Sequence, residues 1–259
     1  MYKASQIATI IKARSSGSSA DVEAAHILLD SRKLLFPASS IFFALSGPRR
    51  NGNTFIPELY AKGVRCFVVD EQFAEDDSFP GAVFLHVQDV LQALQALTAY
   101  HRQQFNLPVI GITGSNGKTI VKEWLYQLLQ DDHSIVRSPK SFNSQVGVPL
   151  SVWQINAGHT LGIFEAGISQ PDEMQRLEKI MAPSIGVITS IGDAHSEGFL
   201  NIRQKINEKL KLFVRSDVLI YCADNPDLNE AVNLFAGNVR NGDDFTLFSW
   251  SRKESATLQ

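Results

Sequence analysis

The chain has 259 residues, of which 44% are hydrophobic and 20% are charged, a balance typical of a globular protein. Its formal net charge of −3 lacks the basic excess of nucleic-acid-binding proteins, although backbone dipoles can still bind anionic ligands. No apolar run approaches the length of a membrane span, and the first residues lack a signal-peptide pattern. We therefore expect a cytoplasmic protein with no nucleic-acid partner and no membrane insertion.

The first hundred residues alternate between short strands and helices. Bounded, β-rich runs predict strands at 40–45, 64–70 and 82–87. A short helix is expected over 54–63, where Gly63 could close it. Apolar residues at helical spacing predict a longer helix over 88–105.

Asn106-Leu107-Pro108 interrupts this helical pattern, and we place a domain boundary there. The predicted domains are residues 1–106 and 107–259. The two cysteines, Cys66 and Cys222, lie in separate hydrophobic segments, one in each predicted domain. Buried, unreactive thiols are expected, with a disulfide or a metal role as the alternative.

The second region opens with a compact apolar strand at 109–112, and a helix is predicted over 118–130. One apolar stripe of this helix contains Val121, Trp124, Leu125, Leu128 and Leu129. Further apolar strands are predicted at 161–167, 185–192 and 218–224, separated by helix-like stretches such as 171–181. Continuous apolar strands that alternate with amphipathic helices predict an α/β fold with a parallel sheet. The loops that follow such strands meet at one edge of the sheet, where a site is expected.

A glycine-rich loop joins the first strand and helix of this region. It reads Gly111-Ile112-Thr113-Gly114-Ser115-Asn116-Gly117-Lys118-Thr119. Glycines allow several backbone N–H groups to point at one phosphate, and the helix N-terminus adds partial positive charge. Lys118 would reach the outer phosphates and the Thr119 hydroxyl would help to hold Mg²⁺. The spacing departs from the common phosphate-loop pattern, because Gly111 lies one residue too far from Gly117; an incidental Gly-Lys-Thr turn is the alternative.

The segment TGSNGKT followed by VKEW resembles the ATP loop of the Mur ligases, the ATP-dependent amide-forming ligases of peptidoglycan synthesis. Similar segments are SFNSQVGVPLS, FEAGISQPDEM, ITSIGDAHSEGF, and Asp30-Ser31-Arg32 with IFFALSG, so that the resemblance covers nearly the whole chain. The Val-Lys-Glu continuation is similar to the member that adds D-alanyl-D-alanine to UDP-N-acetylmuramoyl-tripeptide.

The resemblance implies a small N-terminal α/β domain for the UDP-sugar substrate, followed by a P-loop parallel-sheet ATPase domain. It implies that the central domain is incomplete here and that a third, C-terminal domain is absent, so that the 259 residues alone are expected to bind but not to ligate. A finer resemblance is to the branch in which the ligase is fused to an alanine racemase. The implied cofactors are ATP and Mg²⁺, the latter as one or two ions. The implied nucleotide-binding residues are Thr113, Gly114, Ser115, Asn116, Gly117, Lys118 and Thr119.

Candidate metal ligands follow two separate strands. Glu165 ends the strand LGIFE, and His195 lies beyond IGVITSIG, so both should emerge at the same sheet edge as Thr119. A hydroxyl, a carboxylate and an imidazole suit a divalent ion, although imidazole is a softer ligand than Mg²⁺ usually takes. Taken alone, Glu165 could be a solvated strand end and His195 a histidine without a ligand role. The resemblance implies that both are metal ligands.

Lys209 falls where Mur ligases carry a lysine that becomes carbamylated and holds a second metal. With Lys118 and His195, it completes the catalytic residues that the resemblance implies. The bare pattern instead allows a surface lysine, because Ile206, Leu210 and Phe213 define the opposite stripe. Lys205 is a substitute candidate. Lys211 departs from the family, which usually has an acidic residue there.

The resemblance also implies which residues bind the nucleotide-sugar part of the substrate. The residues implied to bind the substrate are Ser31, Arg32, Phe43, Ala44, Leu45, Asn143 and Ser144. As alternatives, Asp-Ser-Arg can be a plain turn and Phe43 can belong to the core. The family often has Asp-Gly-His where this chain reads Asn51-Gly52-Asn53, which leaves that turn without an assigned role.

The implied reaction explains why ATP, a metal ion and positively charged side chains are expected at the site. A carboxylate is a poor acyl donor, because its leaving group would be oxide; phosphorylation by ATP gives an acyl phosphate that an amine can attack. Positioning and charge neutralisation dominate such phosphoryl transfer. Three other functions stay open: a non-catalytic nucleotide or nucleotide-sugar module, a Mur ligase that adds another amino acid, and a P-loop phosphotransferase or GTPase.

Overall fold

The structure is a computed structural model that describes residues 1–47, 51–74, 78–192, 198–238 and 245–252. The chain divides into two compact units, Met1–Tyr100 and His101–Gln259. Within the described residues, no helix combines the length and the apolar character needed to cross a bilayer.

The first unit is built on a mixed sheet with helices. Its strands are β1 (Tyr2–Lys3), β2 (Arg14–Gly17), β3 (Glu23–Ala24), β4 (His26–Leu28), β5 (Ser40–Phe43), β6 (Cys66–Asp70) and β7 (Val83–Val87). Its helices are α1 (Ala4–Ile11), α2 (Ile56–Ala61) and α3 (Val90–Gln103), the last of which runs on past Tyr100. Short 3-10 helices occupy Ser31–Lys33, Pro37–Ser39 and Gly52–Phe55.

The sheet of the first unit has the order β2-β7-β6-β5-β4, and β1 pairs separately with β3. β4, β5, β6 and β7 are parallel, and β2 is antiparallel to β7. The strands predicted at 40–45, 64–70 and 82–87 are therefore present as β5, β6 and β7. β2 was not predicted, because its sequence Arg-Ser-Ser-Gly has no apolar alternation.

Cys66 is fully buried, as predicted, and burial raises the pKa of its thiol to about 12.

The second unit contains a six-stranded parallel sheet. Its strands are β8 (Val109–Thr113), β9 (Ile135–Arg137), β10 (Leu161–Glu165), β11 (Ile185–Ile188), β12 (Val218–Cys222) and β13 (Thr246–Trp250). Its helices are α4 (Lys118–Leu129), α5 (Gly147–Val152), α6 (Glu173–Met181), α7 (Ile202–Leu210) and α8 (Pro226–Asn238), with a 3-10 turn at Lys211–Phe213. This architecture confirms the predicted fold class.

The strand order in this sheet is β13-β12-β11-β8-β10-β9. The chain therefore builds outward in both directions from β8, whose neighbours are β10 on one side and β11 on the other. In open parallel sheets, the crevice at such a switch point, beyond the carboxyl ends of the strands, is where ligands bind. The glycine-rich loop follows β8 and thus lies at this crevice.

The apolar stripe predicted on α4 is only half correct. Val121, Leu125 and Leu129 pack against the core formed by β8 and β10. Trp124 and Leu128, however, are 62% and 74% exposed. The five residues span a wider arc than one sheet face can cover, so the far side of the stripe stays outside the core.

Candidate functional site

The glycine-rich loop turns sharply between β8 and α4. Gly114 has φ +145° and Gly117, the N-cap of α4, has φ +85°. A Cβ on Gly114 would lie 2.0 Å from Thr189 Oγ1, so only glycine fits at this position. The bend directs the chain into the N-terminus of α4, where unpaired N–H groups favour an anion.

A segment after β11 anchors the loop. The Ser115 N–H donates to Ser190 O at 2.6 Å, and Thr189 Oγ1 donates to Asn116 O at 2.6 Å. The Ser115 hydroxyl donates to Gly192 O at 3.0 Å and accepts from Gly192 N at 3.1 Å. These contacts join two loops that are more than seventy positions apart in sequence and preorganise the phosphate cradle. Pattern reasoning did not identify them.

Three lysine side chains converge on the loop. Lys118 Nζ donates to Gly114 O at 2.9 Å, and Lys209 Nζ donates to the same carbonyl at 3.2 Å. Lys205 Nζ donates to Gly192 O at 2.6 Å. Lys205 and Lys209 are only 1% and 3% exposed, which excludes the surface-lysine alternative for Lys209. Ammonium groups gathered in this way form a site for an anion with several negative charges.

The electrostatics of the cluster reflect burial and mutual repulsion. Burial lowers the pKa of Lys118, the Glu165 carboxylate raises it in part, and Lys205 lowers it further. The pKa of Lys209 falls to about 7, first because the amine is buried and then because Lys118 and Lys205 repel its charged form. An anionic ligand would relieve this repulsion.

Glu165 lies at the end of β10 with no exposed surface. Its Oε2 accepts a hydrogen bond from Thr119 Oγ1 at 3.0 Å. Lys122 Nζ forms an ion pair with Oε1 at a distance of 3.0 Å, but the contact does not have the geometry of a hydrogen bond. Oε1 is therefore buried and has no hydrogen-bond partner among the described residues. Because a buried oxygen of this kind needs compensation, the Thr119 and Glu165 pair fits a hard divalent cation.

The structure brings Thr119 into contact with Glu165, and it brings Lys118 and Lys209 to the same carbonyl, that of Gly114. His195 lies outside the described residues. In the ranges that the structure covers, no three His, Cys, Asp or Glu side chains form a metal-binding group. A cation beside Thr119 and Glu165 would thus take further oxygens from its ligand or from water.

The other predicted loop residues serve different purposes. Thr113 is buried, and its hydroxyl donates to Ala166 O at 2.9 Å, which ties β8 to the end of β10. Asn143 lies beside the end of β10, where its carbonyl accepts from Gly167 N at 2.7 Å. The Ser144 hydroxyl accepts from Gly147 N, at the first residue of α5, at 3.1 Å.

The first unit has a cavity of about 760 Å³. Its lining consists of Leu29, Asp30, Ser31, Arg32, Phe42, Leu45, Asn51, Gly52, Thr54, Phe55 and Glu58. Arg32 is held by Asp30 through two hydrogen bonds of 2.8 and 2.7 Å, and this contact holds the pKa of the Asp30 carboxyl well below its usual range. Among the predicted substrate residues, Phe43 and Ala44 are fully buried and do not line the cavity.

Lys122 is a site residue that the sequence analysis missed. It lies four positions after Lys118 on α4, a spacing that places both lysines on one helix face. This spacing could have identified Lys122 from the sequence, whereas the predicted apolar stripe of α4 did not include it.

The comparisons with known proteins agree with this geometry. The sequence profile of the Mur ligase middle domain matches residues 112–244. A UDP-N-acetylmuramoyl-tripeptide–D-alanyl-D-alanine ligase of Treponema pallidum is 34% identical over 192 residues, which cover 71% of this chain and 41% of that protein. The ligase of the same name from Bacillus subtilis is 30% identical over 237 residues, covering 89% and 51%.

Solved structures show the same fold. MurF from Acinetobacter baumannii superposes with a TM-score of 0.82 at 24% identity, covering 96% of this chain and 53% of that one. MurF from Thermotoga maritima, in complex with ADP, gives a TM-score of 0.75 at 24% identity and covers 90% and 52%. The chain thus spans about half the length of the relatives it matches. By its profile match and by its relatives, the chain belongs to the Mur ligase family.

Proposed function

We propose that this chain binds Mg²⁺ and ATP at the glycine-rich loop, as part of a ligase that adds D-alanyl-D-alanine to UDP-N-acetylmuramoyl-tripeptide. The observation that carries the proposal is the convergence of Lys118, Thr119 and Glu165 at the switch point of the parallel sheet. The names of the similar proteins supply the substrates. The cytoplasmic location expected from the sequence is part of the same proposal.

The loop supplies the phosphate contacts. In the structure, the Lys118 ammonium contacts the Gly114 carbonyl, a neutral acceptor that a phosphate oxygen can replace with a stronger, charge-assisted bond. The N-terminus of α4 adds partial positive charge behind it. Lys205 donates a hydrogen bond to Gly192 O, which also accepts from Ser115 of the glycine-rich loop. Its ammonium group raises the positive potential at that loop.

Thr119 and Glu165 are the residues that would hold Mg²⁺. Glu165 offers Oε1, which accepts no hydrogen bond, while its Oε2 orients the Thr119 hydroxyl so that a lone pair of that oxygen stays available. When bound, Mg²⁺ supplies positive charge that withdraws electron density from phosphate oxygens. His195 remains a proposed further ligand on the strength of the family resemblance.

Lys209 is proposed to become carbamylated. Its amine is buried and its pKa is lowered to about 7, so a large fraction is uncharged near neutral pH. The lone pair of a neutral amine can attack carbon dioxide, which forms a carbamate and releases one proton. The carbamate would replace one positive charge of the lysine cluster by a negative one and provide oxygens for a second metal ion.

The proposed reaction has two steps. The terminal carboxylate of the UDP-linked tripeptide attacks the γ-phosphorus of ATP, which gives an acyl phosphate and ADP. The amine of D-alanyl-D-alanine then attacks the acyl carbon, and inorganic phosphate leaves as the amide forms. Lys118 and Lys205 offset the charge that the phosphoryl group carries through the first step.

The cavity of the first unit is the proposed site of the UDP-linked substrate. Ser31, Arg32 and Leu45 line it, and the exposed guanidinium of Arg32 is a suitable partner for a diphosphate or a ribose hydroxyl. In the second unit, Asn143 and Ser144 lie beside the end of β10, and we assign them to the reacting end of the substrate. Lys211, which departs from the family pattern, forms ion pairs with Glu208 at 2.5 Å and Asp172 at 3.2 Å.

Titration calorimetry with a non-hydrolysable ATP analogue and Mg²⁺ tests the nucleotide site. Lys118→Ala should weaken binding by about 10- to 100-fold, the value of one or two charge-assisted hydrogen bonds. Lys179→Ala, which removes an exposed lysine of α6, is the matched control and should bind like the wild type. UDP binding should be the same in all three proteins. Unchanged analogue binding by Lys118→Ala would refute the proposal.

A further inference from the structure

Lys122 has a buried ammonium group that the mechanism above does not use. The side chain is 0% exposed, one helical turn beyond Lys118 on α4. Its Nζ donates to Ser138 O at 2.9 Å and to Lys140 O, and it lies 3.0 Å from Glu165 Oε1 and 3.1 Å from Oε1 of the half-exposed Glu123. Since burying an ammonium is costly without such partners, these contacts define a built site for the charge.

Ser138 joins Lys122 to Glu165 a second time. While its carbonyl accepts from Lys122, its hydroxyl accepts from Glu165 N at 3.2 Å, and its own N–H donates to Ile163 O at 3.1 Å. Lys122 therefore contacts the carboxylate of Glu165 directly, and it contacts the backbone of Glu165 through Ser138.

The other carbonyl that Lys122 fixes belongs to a strained residue. Lys140 has φ +51°, the left-handed region that costs energy for a residue with a Cβ. This residue begins the turn that leads to Asn143 and Ser144. Asn143 O in turn accepts from Gly167 N, two residues beyond Glu165. The Lys122 ammonium therefore contacts both the Glu165 carboxylate and the carbonyl of Lys140, at the start of the turn that leads to Asn143.

We propose that Lys122 is a positioning residue, which supplies the counter-charge of Glu165 and aligns it with Thr119 for Mg²⁺ binding. The inference rests on the proposed nucleotide and Mg²⁺ site. Lys122 itself lies behind Glu165 and contacts protein groups only, so its effect reaches the ligand through the carboxylate. Residues that orient a metal ligand affect metal affinity by about 10- to 100-fold.

The test is a Mg²⁺ titration at a fixed concentration of a non-hydrolysable ATP analogue, compared with binding of the same analogue without metal. Lys122→Met should raise the Mg²⁺ concentration for half-saturation by about ten-fold or more, while metal-free binding changes by less than about two-fold. Lys179→Met, on an exposed position of α6, is the control and should leave both quantities unchanged.

A double-mutant cycle separates action through Glu165 from a general effect. Glu165→Gln should shift the Mg²⁺ midpoint by itself, and adding Lys122→Met should shift it little further, because the two residues act as one unit. Additive shifts, an unchanged midpoint in Lys122→Met, or tighter Mg²⁺ binding through lost repulsion would each overturn the inference. Absence of Mg²⁺-dependent binding in the wild type would overturn the nucleotide site as well.

A folding measurement covers the case in which Lys122→Met does not fold. Removing one member of a buried ion pair leaves an uncompensated charge, whereas neutralising both restores balance. Lys122→Gln combined with Glu165→Gln should then recover the circular dichroism and the cooperative melting of the wild type. A double variant that stays unfolded while Glu165→Gln folds would refute the pairing.

Discussion

Thr119 and Glu165 lie 46 positions apart in sequence, and the hydroxyl of the first donates a 3.0 Å hydrogen bond to the carboxylate of the second. The contact joins the first turn of α4, which follows β8, to the end of β10, the strand that pairs with β8 in the parallel sheet. It brings a hydroxyl oxygen next to the Glu165 carboxylate, whose Oε1 accepts no hydrogen bond, and oxygens of these two kinds suit a hard cation.

The first prediction concerns this hydroxyl. Thr119→Val keeps the shape of the side chain but removes its oxygen, so it should weaken Mg²⁺-dependent nucleotide binding by about ten-fold, while metal-free nucleotide binding stays within about two-fold. Thr119→Ser, which retains the hydroxyl, should behave like the wild type. Calorimetric titrations with and without Mg²⁺ measure both quantities. An equal loss in the two conditions would mean that Thr119 contacts phosphate and not the metal.

Much of the site could be predicted because it depends on local patterns. The spacing of apolar residues changes from that of a strand to that of a helix at the glycine-rich loop, which includes Lys118 and Thr119. Glu165 is the last residue of an apolar strand. Parallel strands then bring such loop residues to one sheet edge without further information. The second unit's fold class followed from the same alternation.

Other features depend on contacts that no local pattern reveals. The Thr189–Gly192 segment anchors the loop through backbone groups together with the Thr189 and Ser115 hydroxyls, and no periodicity in the sequence marks these contacts. Lys209 could equally have been a surface residue by its place on α7, but it is buried and donates to the carbonyl of Gly114, a residue 95 positions away in sequence. On α4, conversely, Trp124 and Leu128 were expected inside and lie outside, because the sheet covers only part of the arc.

The second prediction concerns the bend of the loop. Gly114→Ala should destabilise the second unit by about 2–4 kcal/mol, because its φ is +145° and the new methyl would lie 2.0 Å from Thr189 Oγ1. Denaturant unfolding followed by the fluorescence of Trp124 and Trp153, both in this unit, measures the change.

Gly237→Ala provides the matched control for this loop variant. Gly237 lies on α8, and no atom lies within 4 Å of the place that a methyl group would take there, so alanine should be neutral or stabilising by about 0.5 kcal/mol. Equal stability of the two variants would show that the close approach to Thr189 is not a constraint on the fold.

The third prediction uses the amine of Lys209, whose pKa falls from its ordinary value of 10.5 to about 7. Between these two values the unfolded chain binds a proton that the folded chain lacks, so wild-type stability should rise with pH across this window. The cost of burying the charged form is present in full below about pH 7 and is relieved towards pH 10.

Lys209→Met removes that cost. In carbonate-free buffer, this variant should be more stable than the wild type at pH 6 by at most about 5 kcal/mol, and the difference should shrink steadily from pH 7 to pH 10. Lys179→Met, at an exposed position, should differ from the wild type by less than about 0.5 kcal/mol at each pH. Denaturant unfolding at five pH values gives the curve. A difference between Lys209→Met and the wild type that is constant from pH 6 to pH 10 would show that the Lys209 amine keeps its proton in the folded state, and a carbamate could then not form on it at neutral pH.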